Sequence, residues 1–149
     1  MIDQKLLSII VPVYNEEKTI KKVLLSLAKL RQTIESIEII VVNDGSKDDS
    51  LKILEENRNN YDVLINNLQN KGKGNAVKNA LEVASGKYIT FQDADLEYDP
   101  QDFNKFVNLI NKFSPDLIIG SRFNYDDYTR SHHFFNKIGN MCITFTFNL

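Results

Sequence analysis

A chain of 149 residues with 42% hydrophobic and 26% charged content has the size and balance of one globular domain that buries about two-thirds of its unfolded surface. Its 18 Lys and Arg against 20 Asp and Glu give a net charge of −2 and a pI near 5.7, which excludes a global basic field of the kind that recruits nucleic acid. The single cysteine, Cys142, excludes an intrachain disulfide and a multi-thiolate metal site, and reads as a core thiol in a reducing compartment.

The chain opens MIDQKLLSIIVPVYNEE, with an acid at Asp3 and only about seven apolar residues before Tyr14, too few for a signal peptide or a spanning helix. A cytosolic start is expected. LSIIVPV (7–13) is a short apolar run without polar alternation, the pattern of a strand buried on both faces, and Tyr14, Asn15 and Glu16 follow it. Ile20, Val23, Leu24, Leu27 and Leu30 then recur at helical spacing. IEIIVV (37–42) predicts a second strand, followed by Asn43-Asp44-Gly45-Ser46 and a second helix. Ser46 with Asp49 imitates a capping box at that helix start.

VLINN (63–67) predicts the third strand. Asn70-Lys71-Gly72-Lys73-Gly74 leads into a helical stripe at Ala76, Val77, Ala80, Leu81 and Ala84. Two glycines beside two cations at a helix start suit a phosphate, although Gly-Lys-Gly is also a common surface turn. The stretch is neither a Rossmann fingerprint nor a Walker A loop, because Val77 stands where a third glycine belongs and the Lys-Ser/Thr ending is absent. KYITFQ (87–92) predicts the fourth strand and breaks into Asp93, Asp95, Glu97 and Asp99. Asp99-Pro100 supplies an N-cap and a favoured first helical residue for a helix carrying Phe103, Phe106, Val107 and Ile110. LIIGS (117–121) predicts a fifth strand, followed by Arg122.

Alternating strands and helices predict an α/β fold with a mostly parallel sheet and helices on both faces. Ligands of such sheets bind beyond the carboxyl ends of the strands. Two carboxylates at i and i+2 there, Asp93 and Asp95 around Ala94, reach one hard cation and leave its other positions to water and phosphate. Their alternative is an Asx turn, and Glu97 either completes the metal shell or is solvated. Asn43 and Asp44 hydrogen-bond a base or ribose or simply turn the chain. Arg122 neutralises a diphosphate or makes a surface ion pair. His132 and His133, adjacent and so on different helix faces, are read as surface or packing residues. Phe134, Phe135, Ile138, Met141, Cys142 and Phe145 are read as a core-packing helix in preference to a membrane-surface one.

In order, "SIIVPVYNEEKTI", "VVNDGSKDDS", "NKGKGNAVKNALEVASGKYITFQDADLEYDP" and "GSRF" closely resemble the family 2 glycosyltransferases of the GT-A fold, a Rossmann-like architecture. Within that family they look most like the polyprenyl-phosphate, or dolichol-phosphate mannosyltransferase-like, branch. The resemblance spans residues 6–122 and continues more loosely to 149. It implies that Pro12, Tyr14 and Glu16 line the nucleotide pocket with Asp44 nearby, that Lys73 lies near the donor, and that Asp93 and Asp95 bind Mn2+ or Mg2+. It further implies that Arg122 approaches the phosphates or the acceptor, and that transfer is inverting. Asn43 stands where the family usually has an acid, which leaves UDP versus GDP open. Family members continue past "GNMCITFTFNL", so the chain reads as a single GT-A domain over 1–149 that is C-terminally truncated, with a donor part at about 6–122 and an acceptor-side tail at about 123–149. No residue of this sequence is assigned as general base.

The expectation is a metal-dependent inverting glycosyltransferase that moves a hexose from a UDP- or GDP-linked donor to a polyprenyl phosphate or glycan. Asp95 and Arg122 are the residues expected to act in transfer, and Pro12, Tyr14, Glu16, Asn43, Asp44, Lys73, Asp93 and Ala94 those expected to bind substrate. The setting is cytoplasmic with peripheral contact on the cytosolic face of a membrane, and homo-oligomerisation is left open. The alternatives are a nucleotide-sugar-binding module without turnover and, ranked lower because "PVYNEEK" lacks a glycine, a sugar nucleotidyltransferase.

Overall fold

The computed structural model describes residues 5–34 and 36–120. The chain divides into two compact units, Met1–Ser114 and Pro115–Leu149. In the first, strands β1 (Leu7–Val13), β2 (Ile37–Asp44), β3 (Val63–Asn67) and β4 (Tyr88–Phe91) alternate with helices α1 (Ile20–Thr33), α2 (Ser50–Glu56), α3 (Lys73–Leu81) and α4 (Phe103–Phe113). All pairings are parallel, in the order β3-β2-β1-β4. The order reverses at β1, whose two neighbours leave for opposite edges, so the loops after β1, β2 and β4 converge at one end.

Helices cover both faces, as expected. Leu7, Ile9, Val11 and Val13 of β1 and Ile37, Ile39 and Val41 of β2 pack on one face against Ile20, Val23, Leu24, Leu27 and Leu30 of α1, Leu54 of α2, and Phe103 and Val107 of α4. On the other face Ile10, Ile40 and Val42 meet Ala76 and Ala80 of α3. The small side chains of α3 bring its backbone close to the sheet.

Three expectations need correction. Among the described residues the third and fourth runs pair on one side only and are not buried on both faces: β3 is only half-buried, and Ile89 and Phe91 of β4 are 43% and 51% exposed. An apolar run shows that a strand has a packed face; it does not show how many neighbours the strand has. Leu117–Gly120 forms no strand, because extended backbone becomes one only when a neighbour takes its hydrogen bonds, and Leu117 and Ile119 are 74% and 81% exposed. The capping box is not made either. Ser46 spends its hydroxyl on the Asn15 N–H, and Asp48 accepts from the Ser50 N–H at the start of α2. Asp99 does cap as expected, accepting from Gln101 at 3.0 Å ahead of a 3-10 turn, Pro100–Asp102, that runs into α4. Among the described residues, no helix is long and apolar enough to cross a membrane.

A buried carboxylate locks the sheet at the end away from the converging loops. Glu38 accepts from the Ser8 hydroxyl at 2.7 Å, the Ser85 N–H at 2.9 Å and the Ser85 hydroxyl at 3.0 Å, while Gly86 N–H donates to the Ser8 hydroxyl. The α3–β4 connection is thereby tied to β1 and β2. Burial pushes the Glu38 carboxyl up, but the bonds from Ser8 and Ser85, aided by the charge of Lys5, outweigh it and hold the group below its ordinary 4.5.

A carboxyl whose folded pKa is depressed contributes stability that is present above its unfolded pKa and lost as pH falls through the folded one. Unfolding free energy measured by denaturant titration is expected to fall progressively as pH drops below about 4.5. Glu38→Ala is expected to lower stability at neutral pH by about 1–3 kcal/mol, since it strands buried donors, and to flatten that acid slope. An unchanged slope would show that Glu38 is not the group responsible.

Candidate functional site

The first loop is built on a left-handed residue. Asn15 has φ of 56°, a conformation that Asn tolerates better than most side chains. From it the β1–α1 and β2–α2 loops are laced together in both directions. Asn15 N–H donates to the Ser46 hydroxyl at 3.1 Å and Asn15 Oδ1 accepts from Lys47 N–H at 2.8 Å. Glu16 N–H donates to the Ser50 hydroxyl at 2.8 Å, Glu17 N–H to Asp48 at 3.1 Å, and Asp49 N–H to Glu17 at 3.1 Å. The Glu16 carboxylate is aimed by the Thr19 hydroxyl at 2.7 Å.

The second loop is organised by Asp44, which is 3% exposed. Its Oδ1 accepts from the Asn67 amide at 2.9 Å and from Lys71 N–H at 3.3 Å, and its Oδ2 accepts from Gly72 N–H at 2.8 Å. Asn67 in turn accepts from the Asn79 amide of α3. Gly45 completes the junction with φ of 67°, and a Cβ there would lie 2.6 Å from both Asn70 N and Gln69 C. Only glycine lets the 69–70 backbone approach so closely.

The third loop carries the acids. Gln92 at the end of β4 is 1% exposed, and its amide donates to the carbonyls of Asp93 at 3.0 Å and Tyr98 at 3.2 Å. One side chain thus pins both ends of the acidic segment. Asp95 Oδ1 accepts from Glu97 N–H at 3.0 Å across Leu96, whose φ of 66° is strained for a leucine. The Asx-turn alternative is therefore realised at Asp95. Asp93 Oδ1 receives the Lys73 ammonium at 2.5 Å.

These loops enclose a cavity of about 290 Å³. Pro12 and Asp44 line it from the ends of β1 and β2, Tyr14 and Glu16 from the first loop, Asn70 and Lys73 from the third connection, and Asp93, Ala94 and Asp95 from beyond β4. Asn43 is placed differently. It is 2% exposed and pairs with Asn66 on β3 at 2.8 Å, so its amide serves the sheet. Arg122, like Ser121 and the stretch from His132 to Phe145, lies outside the described residues. No sequence motif assigns a role to Gln92, Asn67 or Asn79. Paired asparagines closing an otherwise apolar strand were the one visible signal for Asn67, and Gln92 reads like any strand end.

The chain matches the model of glycosyl transferase family 2 over residues 8–146. It belongs to that family. A UDP-N-acetylglucosamine–dolichyl-phosphate N-acetylglucosaminyltransferase of Methanococcus voltae is 35% identical over 159 aligned positions, covering 95% of this chain and 61% of that one. The structure of S. aureus TarS 1-349 in complex with UDP-GlcNAc superposes with a TM-score of 0.63 at 33% identity, over 72% of this chain and 31% of that one. The mannosyltransferase PcManGT from Pyrobaculum calidifontis, in complex with GDP-Man and Mn2+, superposes with a TM-score of 0.56 at 25% identity, over 64% and 29%. The fold of this family 2 chain is thus the GT-A glycosyltransferase fold. The chain spans 46% to 61% of the length of three curated relatives that it matches.

Gln92→Leu keeps the volume and removes both amide donors. It is expected to cost about 1–3 kcal/mol and to speed hydrogen exchange in residues 93–98 well beyond that of β1. Uniform exchange across both regions would remove Gln92 as the pin of the acidic segment.

Proposed function

We propose that this chain carries the donor-binding half of a metal-dependent, inverting hexosyltransferase. One observation carries the reading. Among the described residues, the acids Glu16, Asp44, Asp93 and Asp95 line the cavity against a single ammonium, that of Lys73. A diphosphate entering so acidic a pocket is repelled unless a cation comes with it.

The residues present fit a hard divalent ion. Asp93 and Asp95 offer carboxylate oxygens on one cavity wall, and among the described residues no third Asp, Glu, His or Cys joins them in a metal-holding group. Two protein carboxylates, with water and phosphate for the remaining positions, is how Mg2+-type substrate sites are commonly filled. When bound, Mn2+ or Mg2+ supplies charge that offsets the leaving nucleoside diphosphate. The residues of the chain do the rest. Pro12 at the end of β1 and Tyr14 on the loop held rigid by Asn15 form the wall against which the nucleoside sits. Glu16 is oriented by Thr19 towards the ribose hydroxyls. Asp44 acts chiefly through the 70–73 loop that it shapes, and Ala94, 4% exposed, keeps the two carboxylates on one side of the turn. Arg122 keeps its role as a partner for the phosphates or the acceptor within this proposal.

UDP is the favoured nucleotide, because it appears in the names of the two relatives at 33% and 35% identity, whereas the GDP-mannose complex is at 25%. The acceptor we infer is a polyprenyl phosphate, met peripherally at the cytosolic face of a membrane, on the strength of the dolichyl-phosphate relative. The general base is not assigned to any residue of the sequence.

Calorimetric titration with UDP-GlcNAc and GDP-mannose, each with and without Mn2+, is expected to show metal-dependent binding of the UDP sugar. Asp95→Asn should remove the metal dependence and leave thermal unfolding nearly unchanged. Equal affinity with and without metal in the unaltered chain would overturn the metal-dependent reading. Binding that is never followed by transfer or hydrolysis would leave a donor-binding module.

A further inference from the structure

The ion pair between Lys73 and Asp93 occupies a singular position. Lys73 is the first residue of α3, following Gly72 with φ of 87°, and its ammonium sits 2.5 Å from Asp93 Oδ1 with the two side chains 60% and 32% exposed. Both residues line the polar cavity described above, and both also line an adjoining space of about 240 Å³ walled by Val77, Phe91 and Tyr98. The pair therefore forms the shared wall of two cavities. It also places the one cation that lines the cavity among the described residues on one of the two carboxylates proposed for the divalent ion.

We propose that Lys73 is a counter-ion latch. It holds Asp93 while no metal is bound, yields the carboxylate to the incoming divalent ion, and transfers its own charge to the donor diphosphate. This rests on the metal-dependent reading of the site. A divalent ion and an ammonium crowded onto one carboxylate repel each other, so metal entry expels Lys73. The expelled ammonium is carried on a flexible four-carbon stem, so it can turn from Asp93 towards a diphosphate in the cavity that both residues line. The consequence is coupling. Metal alone binds weakly because it must break the pair, whereas metal arriving with a diphosphate binds tightly because the displaced ammonium gains a new partner. By linkage, nucleotide and metal strengthen each other by the same factor.

The test is Mn2+ titration followed by the electron paramagnetic resonance signal of free Mn2+, with and without UDP. The unaltered chain is compared with Lys73→Met, Lys73→Arg and Lys78→Met, the last removing the same charge further along α3. Lys73→Met is expected to tighten binding of Mn2+ alone by about two- to five-fold, the scale of an exposed ion pair, and to shrink the factor by which UDP improves it. Lys73→Arg should retain most of that factor, and Lys78→Met should resemble the unaltered chain. A residue that merely supports the fold weakens metal binding when removed, so weaker or unchanged affinity of Lys73→Met for Mn2+ alone overturns the latch while the metal site stands. If the unaltered chain takes up no Mn2+ with or without UDP, both the metal-dependent reading and the latch fall.

Discussion

Much of the candidate site depends on where Asp44 sends its two oxygens. Buried at the end of β2, the carboxylate gathers Asn67 from β3 and the backbone of Lys71 and Gly72 ahead of α3. A buried charge is tolerated when it is fully hydrogen-bonded and costly otherwise, so the loop has little freedom to adopt another shape. Gly45 reinforces this sterically, as its missing Cβ makes room for the Gln69–Asn70 backbone. The position of Lys73, and so its reach to Asp93, follows from this one carboxylate. An acid that sequence pattern assigns to ligand contact thus shapes the loop that borders the cavity.

The two ends of the sheet use polar groups in opposite ways. At the amino ends of the strands Glu38 binds Ser8 and Ser85 in a closed set whose members satisfy one another, which ties down a connection and offers nothing to a ligand. At the carboxyl ends the loops are laced by backbone donors, as with Glu16, Glu17 and Asp49. The Glu16 carboxylate and the Asp93 and Asp95 pair remain facing a cavity. Rigid backbone with outward-facing acids is the arrangement that favours pre-organised binding.

The fold was legible wherever burial and period coincide. β1, β2 and the stripe of α1 are continuous apolar signals because both faces of the strands and one face of the helix are packed. The number of neighbours in the described sheet was not legible, since Val63–Asn67 and Tyr88–Phe91 look as apolar as β1 although each has one there. At the site, the rule that ligands bind beyond strand ends brought Tyr14, Glu16, Lys73 and Asp93 to one cavity. Hydrogen-bond partners were beyond its reach. Asn43 looks like a ligand residue until its amide is found on Asn66, and Gln92 looks like filler until it is found holding two carbonyls. Spacing in sequence gives the place of a side chain, but its partner is set by which strand lies beside it.

The alternating acids after β4 separate into individual tasks on the same grounds. Asp99 caps the turn before α4, Asp95 shapes the turn over Leu96, and Asp93 neutralises Lys73. Four acids so close together would repel one another if they shared one environment. Asp93, Asp95 and Asp99 are tolerated together because their carboxylates go to different partners, the Lys73 ammonium, the Glu97 N–H and the Gln101 N–H. Only Asp93 and Asp95 border the cavity. The acidic run is therefore two cavity-lining carboxylates embedded in turn chemistry, and the positive φ of Leu96 belongs to the turn that Asp95 closes on Glu97.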